Sequence, residues 1–156
     1  MKVGRPQAII NSLALLGDEL EKINKRIQAK YRQIEANEIR FEDDGTGDAD
    51  LVVVAYGTSA RIAKSAIIKA KSQGKKVGLL RPITLWPFPA RKINELAQAG
   101  KRFLVIEMSA GQMVEDVRLA VNGLGQVDFF GRLSGGIPTV TEVYQEIMKY
   151  SGQGVA

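Results

Sequence analysis

Two residue types are missing from the 156-residue chain, cysteine and histidine. Without cysteine the chain can neither ligate an iron–sulfur cluster nor form a disulfide. Without histidine it has no imidazole base, no Ser-His-Asp triad and no ordinary zinc site. Any electron carriers it works with must sit elsewhere. No apolar run approaches the roughly 18 residues of a transmembrane helix. The opening MKVGRPQAIINSLALLGDEL has a short apolar patch interrupted by Asn11-Ser12, which makes a poor signal peptide. The compartment expected from these absences is the cytoplasm.

The residues present describe an ordinary globular chain, 45% hydrophobic and 25% charged, long enough for one domain with a real core. The net charge is +5 but unevenly spread. Residues 41–50 (FEDDGTGDAD) hold five acids and no base, whereas residues 51–102 hold eleven Lys and Arg against one acid, Glu95. A basic middle of this kind suits an acidic protein, a phosphate-bearing ligand or nucleic acid, and equally suits lysines that merely solubilise helix ends.

Along the chain, Leu20, Ile23, Ile27, Tyr31 and Ile34 fall at steps of three and four, which predicts an amphipathic helix over 18–36. Residues 41–50 read as an acidic, Gly-punctuated linker. They do not make an EF-hand, because the sixth position from Asp44 is Ala49 where Gly is needed. From residue 50 strands and helices alternate. Strands are expected at 50–56, 76–81, 102–107 and 126–130. Helices are expected at 59–73, 90–99, 112–121 and 139–148, with Gly74, Gly100 and Asn122-Gly123 as stops and Thr139 or Thr141 as the last cap. This alternation predicts an α/β fold, a three-layer, open, mainly parallel sheet with helices on both faces, preceded by an amino-terminal helix. The expected organisation is an extension over 1–40, a linker over 41–50, the α/β domain over 51–150 and a tail over 151–156.

Three stretches stand out. In VVVAYGTSARIAKSA a strand runs into Tyr56, Gly57, Thr58 and Ser59. Thr58 or Ser59 can cap the helix, and its amides together with Arg61 could hold an anion. The dinucleotide pattern is absent, since Ser59 and Ile62 stand where glycines belong, and no Walker sequence occurs. RPITLWPFP, from Arg81 and Pro82, sets Ile83, Leu85, Trp86 and Phe88 in a proline-stiffened loop. Such a loop suits either cover for the sheet edge or a subunit interface. Glu107 ends a strand, and Gly111-Gln112 opens the next helix. With no His and no second carboxylate in that loop, a hydrogen-bonding role is the better expectation than acid–base work.

Taken together, NEIRFED, DADLVVVAYGTSARIAKSA, GLLRPITLWPFP, VIEMSAGQMVEDVRLAVNG and GRLSGGIPT resemble the alpha subunit of 2-oxoacid:ferredoxin oxidoreductases. They are most similar to the branched-chain (2-oxoisovalerate) type, with the 2-oxoglutarate type next, and the likeness runs from about Asn11 to Tyr150. The matching piece is the carboxyl-terminal, transketolase-C-terminal-like domain. The resemblance implies a large enzyme that decarboxylates a 2-oxoacid oxidatively to an acyl-coenzyme A. That enzyme uses thiamine diphosphate, magnesium, iron–sulfur clusters and coenzyme A. It implies as partners a beta subunit, the remaining alpha domain, gamma and delta subunits and ferredoxin, with an alpha–alpha contact.

On this chain itself no cofactor is expected. The family's diphosphate motif Gly-Asp-Gly does not occur, and Ser109 stands where the family pattern has Asn. The chain is expected to be a shortened or naturally split subunit, inactive alone, with no catalytic residue. The residues expected at contacts are Tyr56, Gly57, Thr58, Ser59, Arg61, Arg81, Pro82, Trp86, Phe88, Glu107, Gly111 and Gln112. The competing reading is a stand-alone module binding a phosphorylated ligand such as coenzyme A at the Gly57–Ser59 turn. Neither nucleic acid nor membrane is expected as a partner. The basic segment has few aromatics between its charges, which are spread over both helix and strand, and calorimetry against a DNA duplex at two salt concentrations would expose any such binding.

Overall fold

The computed structural model describes Gly4 and residues 17–150. The expected tail at 151–156, and all but Gly4 of the first sixteen residues of the extension, lie outside the described residues. Two compact units divide the chain, the first ending at Asn37. Its helix α1 (Gly17–Asn37) carries Asp18 and Glu19 in its first turn, where the dipole favours acids, and buries no residue.

The second unit holds β1 (Phe41–Asp44), β2 (Leu51–Ala55), α2 (Gly57–Ser72), β3 (Val77–Pro82), α3 (Ala90–Gln98), β4 (Arg102–Glu107), α4 (Met113–Val121), β5 (Val127–Gly131) and α5 (Val140–Tyr150). The five strands form one sheet in the order β1-β3-β2-β4-β5. β2, β3, β4 and β5 run parallel, and β1 closes one edge antiparallel to β3. The three-layer α/β expectation holds. β2 is buried along its whole length, as a Val-rich run with helices on both faces should be.

Period-two alternation sorts the core into two layers. Val52, Val54, Leu80, Phe103 and Val105 face Ile93 and Leu96 of α3 and Val114 and Val117 of α4. Leu51, Val53, Ala55, Leu79, Leu104 and Ile106 face Ala63, Ala66 and Ile67 of α2 and Val143 and Ile147 of α5.

One sequence expectation is corrected. Residues 41–44 are not a linker but the strand β1. Glu42 sits directly opposite Arg81 and pairs with its guanidinium at 2.8 Å. Asp43 meets Lys92 at 2.7 Å and Asp44 faces Lys64 at 3.8 Å. The acids look like linker composition because their counter-charges are twenty or more residues away. With those partners in place the acidic run is a charged edge strand, a common guard against edge-to-edge association. The turn after it is held by Thr46, which donates its hydroxyl and its N–H to Asp43. That turn lies so close over β3 that a Cβ on Gly78 would come within 2.7 Å of the Gly45 carbonyl oxygen.

Candidate functional site

In a sheet of this order β2 leads to β3 on one side, and β3 then crosses over to β4 on the other. The carboxyl ends of β2 and β4 therefore flank the switch point at which open α/β sheets place their sites. The loops after β2, β3, β4 and β5 all emerge along this edge, and the start of β1 joins them. The three stretches singled out from sequence are gathered here.

The turn after β2 uses Gly57 at φ +55°, a conformation that a side chain would strain. Contrary to the sequence expectation, neither Thr58 nor Ser59 caps α2. The N-cap position is Tyr56, with no side-chain cap, and Ser59 is buried. Thr58 and Arg61 are exposed. A cavity of about 360 Å³ opens beside this turn, lined by Gly57, Thr58, Arg61, Lys64, Arg81 and Glu42 among others. Two of its three cations already face carboxylates, Arg81 on Glu42 and Lys64 on Asp44.

The loop after β3 is anchored to the segment before β1. The Arg40 carbonyl accepts from the N–H groups of Ile83 and Thr84, and Arg40 N–H donates to Thr84 Oγ1 at 3.0 Å. Thr84 Oγ1 also donates to the Pro87 carbonyl at 3.0 Å. Pro82 is buried in the strand, and Phe88 turns inward onto the α3–α4 core layer. Trp86 does not turn inward and is 54% exposed, with Ile83 and Leu85 beside it. The sequence flagged this apolar group. It gave no signal for Met108, Leu133 and Ile137, which are exposed in the loops after β4 and β5 and extend the same apolar rim.

Glu107, only 1% exposed, is the single buried charged side chain among the described residues. Its carboxylate accepts from the backbone N–H groups of Gln112 at 3.2 Å, Met113 at 3.0 Å and Val114 at 2.9 Å. It also accepts from the Ser109 hydroxyl at 3.1 Å. Ser109 Oγ in turn accepts from Gly111 N–H at 3.1 Å. Glu107 thus caps α4 from the preceding strand and satisfies orphan amides that would otherwise be stranded. The hydrogen-bonding reading of Glu107 fits this geometry. Ser109, whose departure from the family's Asn left its polar role open, carries the relay between Glu107 and the loop.

These residues do not fit an iron–sulfur cluster or a metal ion. Without cysteine there is no ligand for an iron–sulfur cluster. Among the described residues no group of three or more acids could hold a metal ion. The one buried carboxylate already spends its oxygens on three amides and a hydroxyl. The edge is chemically a surface of exposed apolar side chains, several cations including the exposed Arg61, and a loop pinned by hydrogen bonds.

The fold and this edge define a three-layer α/β domain with its loops gathered at the carboxyl ends of parallel strands. The chain belongs to the family described as pyruvate:ferredoxin oxidoreductase core domain II, matched over residues 49–143. Among its relatives is the ketoisovalerate oxidoreductase subunit VorB of Methanothermobacter thermautotrophicus. The two are 46% identical over 144 residues, which is 92% of this chain and 41% of that protein. The 2-oxoglutarate synthase subunit KorA of Methanothermobacter marburgensis is 32% identical over 82% of this chain and 34% of its own length. The chain thus spans about two fifths or less of these relatives. The fold matches the 2-oxoglutarate:ferredoxin oxidoreductase from Magnetococcus marinus, solved with 2-oxoglutarate, coenzyme A and succinyl-CoA bound. That match has a TM-score of 0.74 at 18% identity and covers 87% of this chain and 24% of the other. A split-gene transketolase matches with a TM-score of 0.55 at 17% identity, over 70% of this chain and 40% of its own. No helix among the described residues is long and apolar enough to cross a membrane.

Proposed function

We propose that this chain serves as the carboxyl-terminal assembly domain of the alpha subunit of a thiamine-diphosphate-dependent 2-oxoacid:ferredoxin oxidoreductase, of the branched-chain type. The observation that carries the reading is the 46% identity to VorB across 92% of the chain. The chemistry of the residues supports the division of labour. A chain without cysteine or histidine supplies no cluster ligand and no imidazole base, and its one buried carboxylate is committed to α4, which supports a role in holding other parts in place. Thiamine diphosphate, magnesium, iron–sulfur clusters and coenzyme A would be held by the remaining alpha domain and by the beta, gamma and delta subunits. The carboxyl edge of the sheet is the contact face, with Trp86 as its anchor and Gly57, Thr58, Arg61 and Gln112 around it. Tyr56, Ser59, Arg81, Pro82, Phe88, Glu107 and Gly111 shape that face from beneath. The proposed compartment is the cytoplasm, since a cysteine-free chain needs no oxidising surroundings.

The test is reconstitution. The tagged chain is mixed with the beta subunit and the missing alpha domain, and viologen reduction with 2-oxoisovalerate is followed. A complex that turns over supports the reading. Dye reduction by the isolated chain, or no association with either component, would sink it.

A further inference from the structure

α2 differs in charge from every other described helix. α1, α3, α4 and α5 each carry an ion pair between their own residues: Glu21 with Lys25, Arg91 with Glu95, Glu115 with Arg118 and Glu146 with Lys149. α2 carries Arg61, Lys64, Lys69 and Lys71 and not one acid. Its inner face is small and apolar, built on Ala60, Ala63, Ala66, Ile67 and Ala70. On the opposite side, steps of three and four residues line up Arg61, Lys64, Ile68 and Lys71 in a single stripe.

Ile68 is 65% exposed in the middle of that stripe, with a cation about one turn away on either side. Arg61 and Lys71 meet no acid among the described residues. Lys64 has only the exposed Asp44 at 3.8 Å, a pair too wet to hold it. Each end of the stripe opens onto a concavity. One, of about 360 Å³, is lined by Arg61, Lys64 and Arg81 with the acid Glu42, and the other, of about 380 Å³, by Lys71, Lys75 and Lys76 with the acid Asp48, so cations outnumber acids three to one in each.

We propose that the outer face of α2 docks an acidic protein segment. Its carboxylates would meet Arg61, Lys64 and Lys71, and an apolar side chain would cover Ile68. Charge complementarity selects the sign of the partner, and the isoleucine selects its kind. A small anion has no use for an exposed aliphatic side chain. A nucleic acid strand would look for aromatic stacking surfaces, and α2 has none. This surface runs along a helix face and shares Arg61, and the cavity lined by Gly57, Thr58 and Arg81, with the contact face proposed above. It stands or falls independently of the oxidoreductase reading.

The test uses fluorescence anisotropy on the whole chain with two labelled probes, poly-L-glutamate and a glutamate–tyrosine copolymer (4:1). The copolymer should bind more tightly than the homopolymer. R61E/K64E/K71E should weaken both by about tenfold or more. I68S should abolish the preference for the copolymer while leaving poly-L-glutamate binding within about twofold. K22E/R26E/R91E, with the same net-charge change outside α2, should leave both nearly unchanged. Circular dichroism checks that each variant is folded, and R61A/K64A/K71A replaces the reversal variant if that one is not. Equal weakening by the control variant would overturn the proposal, since net charge alone would then explain binding. No effect of I68S would also overturn it. So would a DNA duplex that outcompetes the copolymer and is lost in the α2 variant, which would assign the face to nucleic acid.

Discussion

The Glu107 carboxylate is occupied by the first amides of α4 and the Ser109 hydroxyl, and its removal measures what those bonds contribute. Glu107→Ala leaves the first amides of α4 buried without an acceptor, which costs about 3 kcal/mol. Glu107→Gln keeps the shape but loses the charge, and should cost about 1–2 kcal/mol. Ser109→Ala breaks the relay to Gly111 and should cost about 1 kcal/mol. Urea unfolding should show these losses as lower midpoints at an unchanged slope. A Glu107→Ala protein as stable as the parent would mean that water replaces the carboxylate without penalty. Gly78 poses a different constraint. A methyl there meets the backbone of Gly45 and Thr46 at 2.7 Å, and backbone cannot step aside as a flexible side chain can. Gly78→Ala should destabilise by about 2–3 kcal/mol in the same assay, or else displace the turn.

At the scale of elements, β1 carries a carboxylate, Asp43, whose titration its partners shift. Burial alone would raise the Asp43 carboxyl, but the Lys92 ammonium and the hydroxyl and N–H of Thr46 outweigh it and hold it below its ordinary value of 3.8. A carboxylate lowered in the folded state stabilises the fold above its unfolded value, and that contribution is lost as pH falls through the lower folded value. Stability measured from pH 6 downward should therefore drop below about pH 4. Asp43→Asn should be less stable at neutral pH and flatter over that acid range, whereas an unchanged acid slope would discount the Lys92 contact. α5 is held by a reciprocal cap. Glu142 N–H donates to Thr139 Oγ1, while Thr139 donates its own N–H to the Glu142 carboxylate at 2.8 Å. The N–H and hydroxyl of Thr139, both donated to its carboxylate, hold the exposed Glu142 carboxyl below its usual range. Thr139→Ala should cost about 1 kcal/mol by thermal unfolding. Its effect should reach α2, because α5 packs along it.

At the scale of the whole molecule, the exposed rim at the carboxyl edge sets the expected behaviour in an assembly. Trp86 is half exposed on a loop pinned to Arg40 through Thr84, so little side-chain or loop freedom is lost when it is covered. Trp86→Ala should weaken association with the remaining alpha domain by about 2 kcal/mol or more, roughly 30-fold, while the melting temperature of the isolated chain hardly moves. Calorimetric titration and a thermal scan separate the two effects. A variant that melts early but binds normally would overturn the anchor role proposed for Trp86.

The sequence by itself determined the elements and their class. Short apolar runs separated by Gly and Asn stops, and helices with an apolar stripe of period 3.6, are local patterns, and local physics is enough to read them. It also determined what the chain cannot do, because a ligand or base that is absent from the composition is absent from any fold. Family membership was legible too, in long ordered motifs. Only the tertiary structure decided that FEDD is a strand, because the charges that make it tolerable come from Lys64, Arg81 and Lys92, far along the chain. Only it turned Phe88 inward and left Trp86 outward, two residues apart in one loop. It also left α2 without the hydroxyl cap its sequence offers, and turned Glu107 and Ser109 onto the amides of α4. Each of these rests on a contact between residues that the chain does not place side by side, and burial and pairing across such contacts exist only once the sheet has formed.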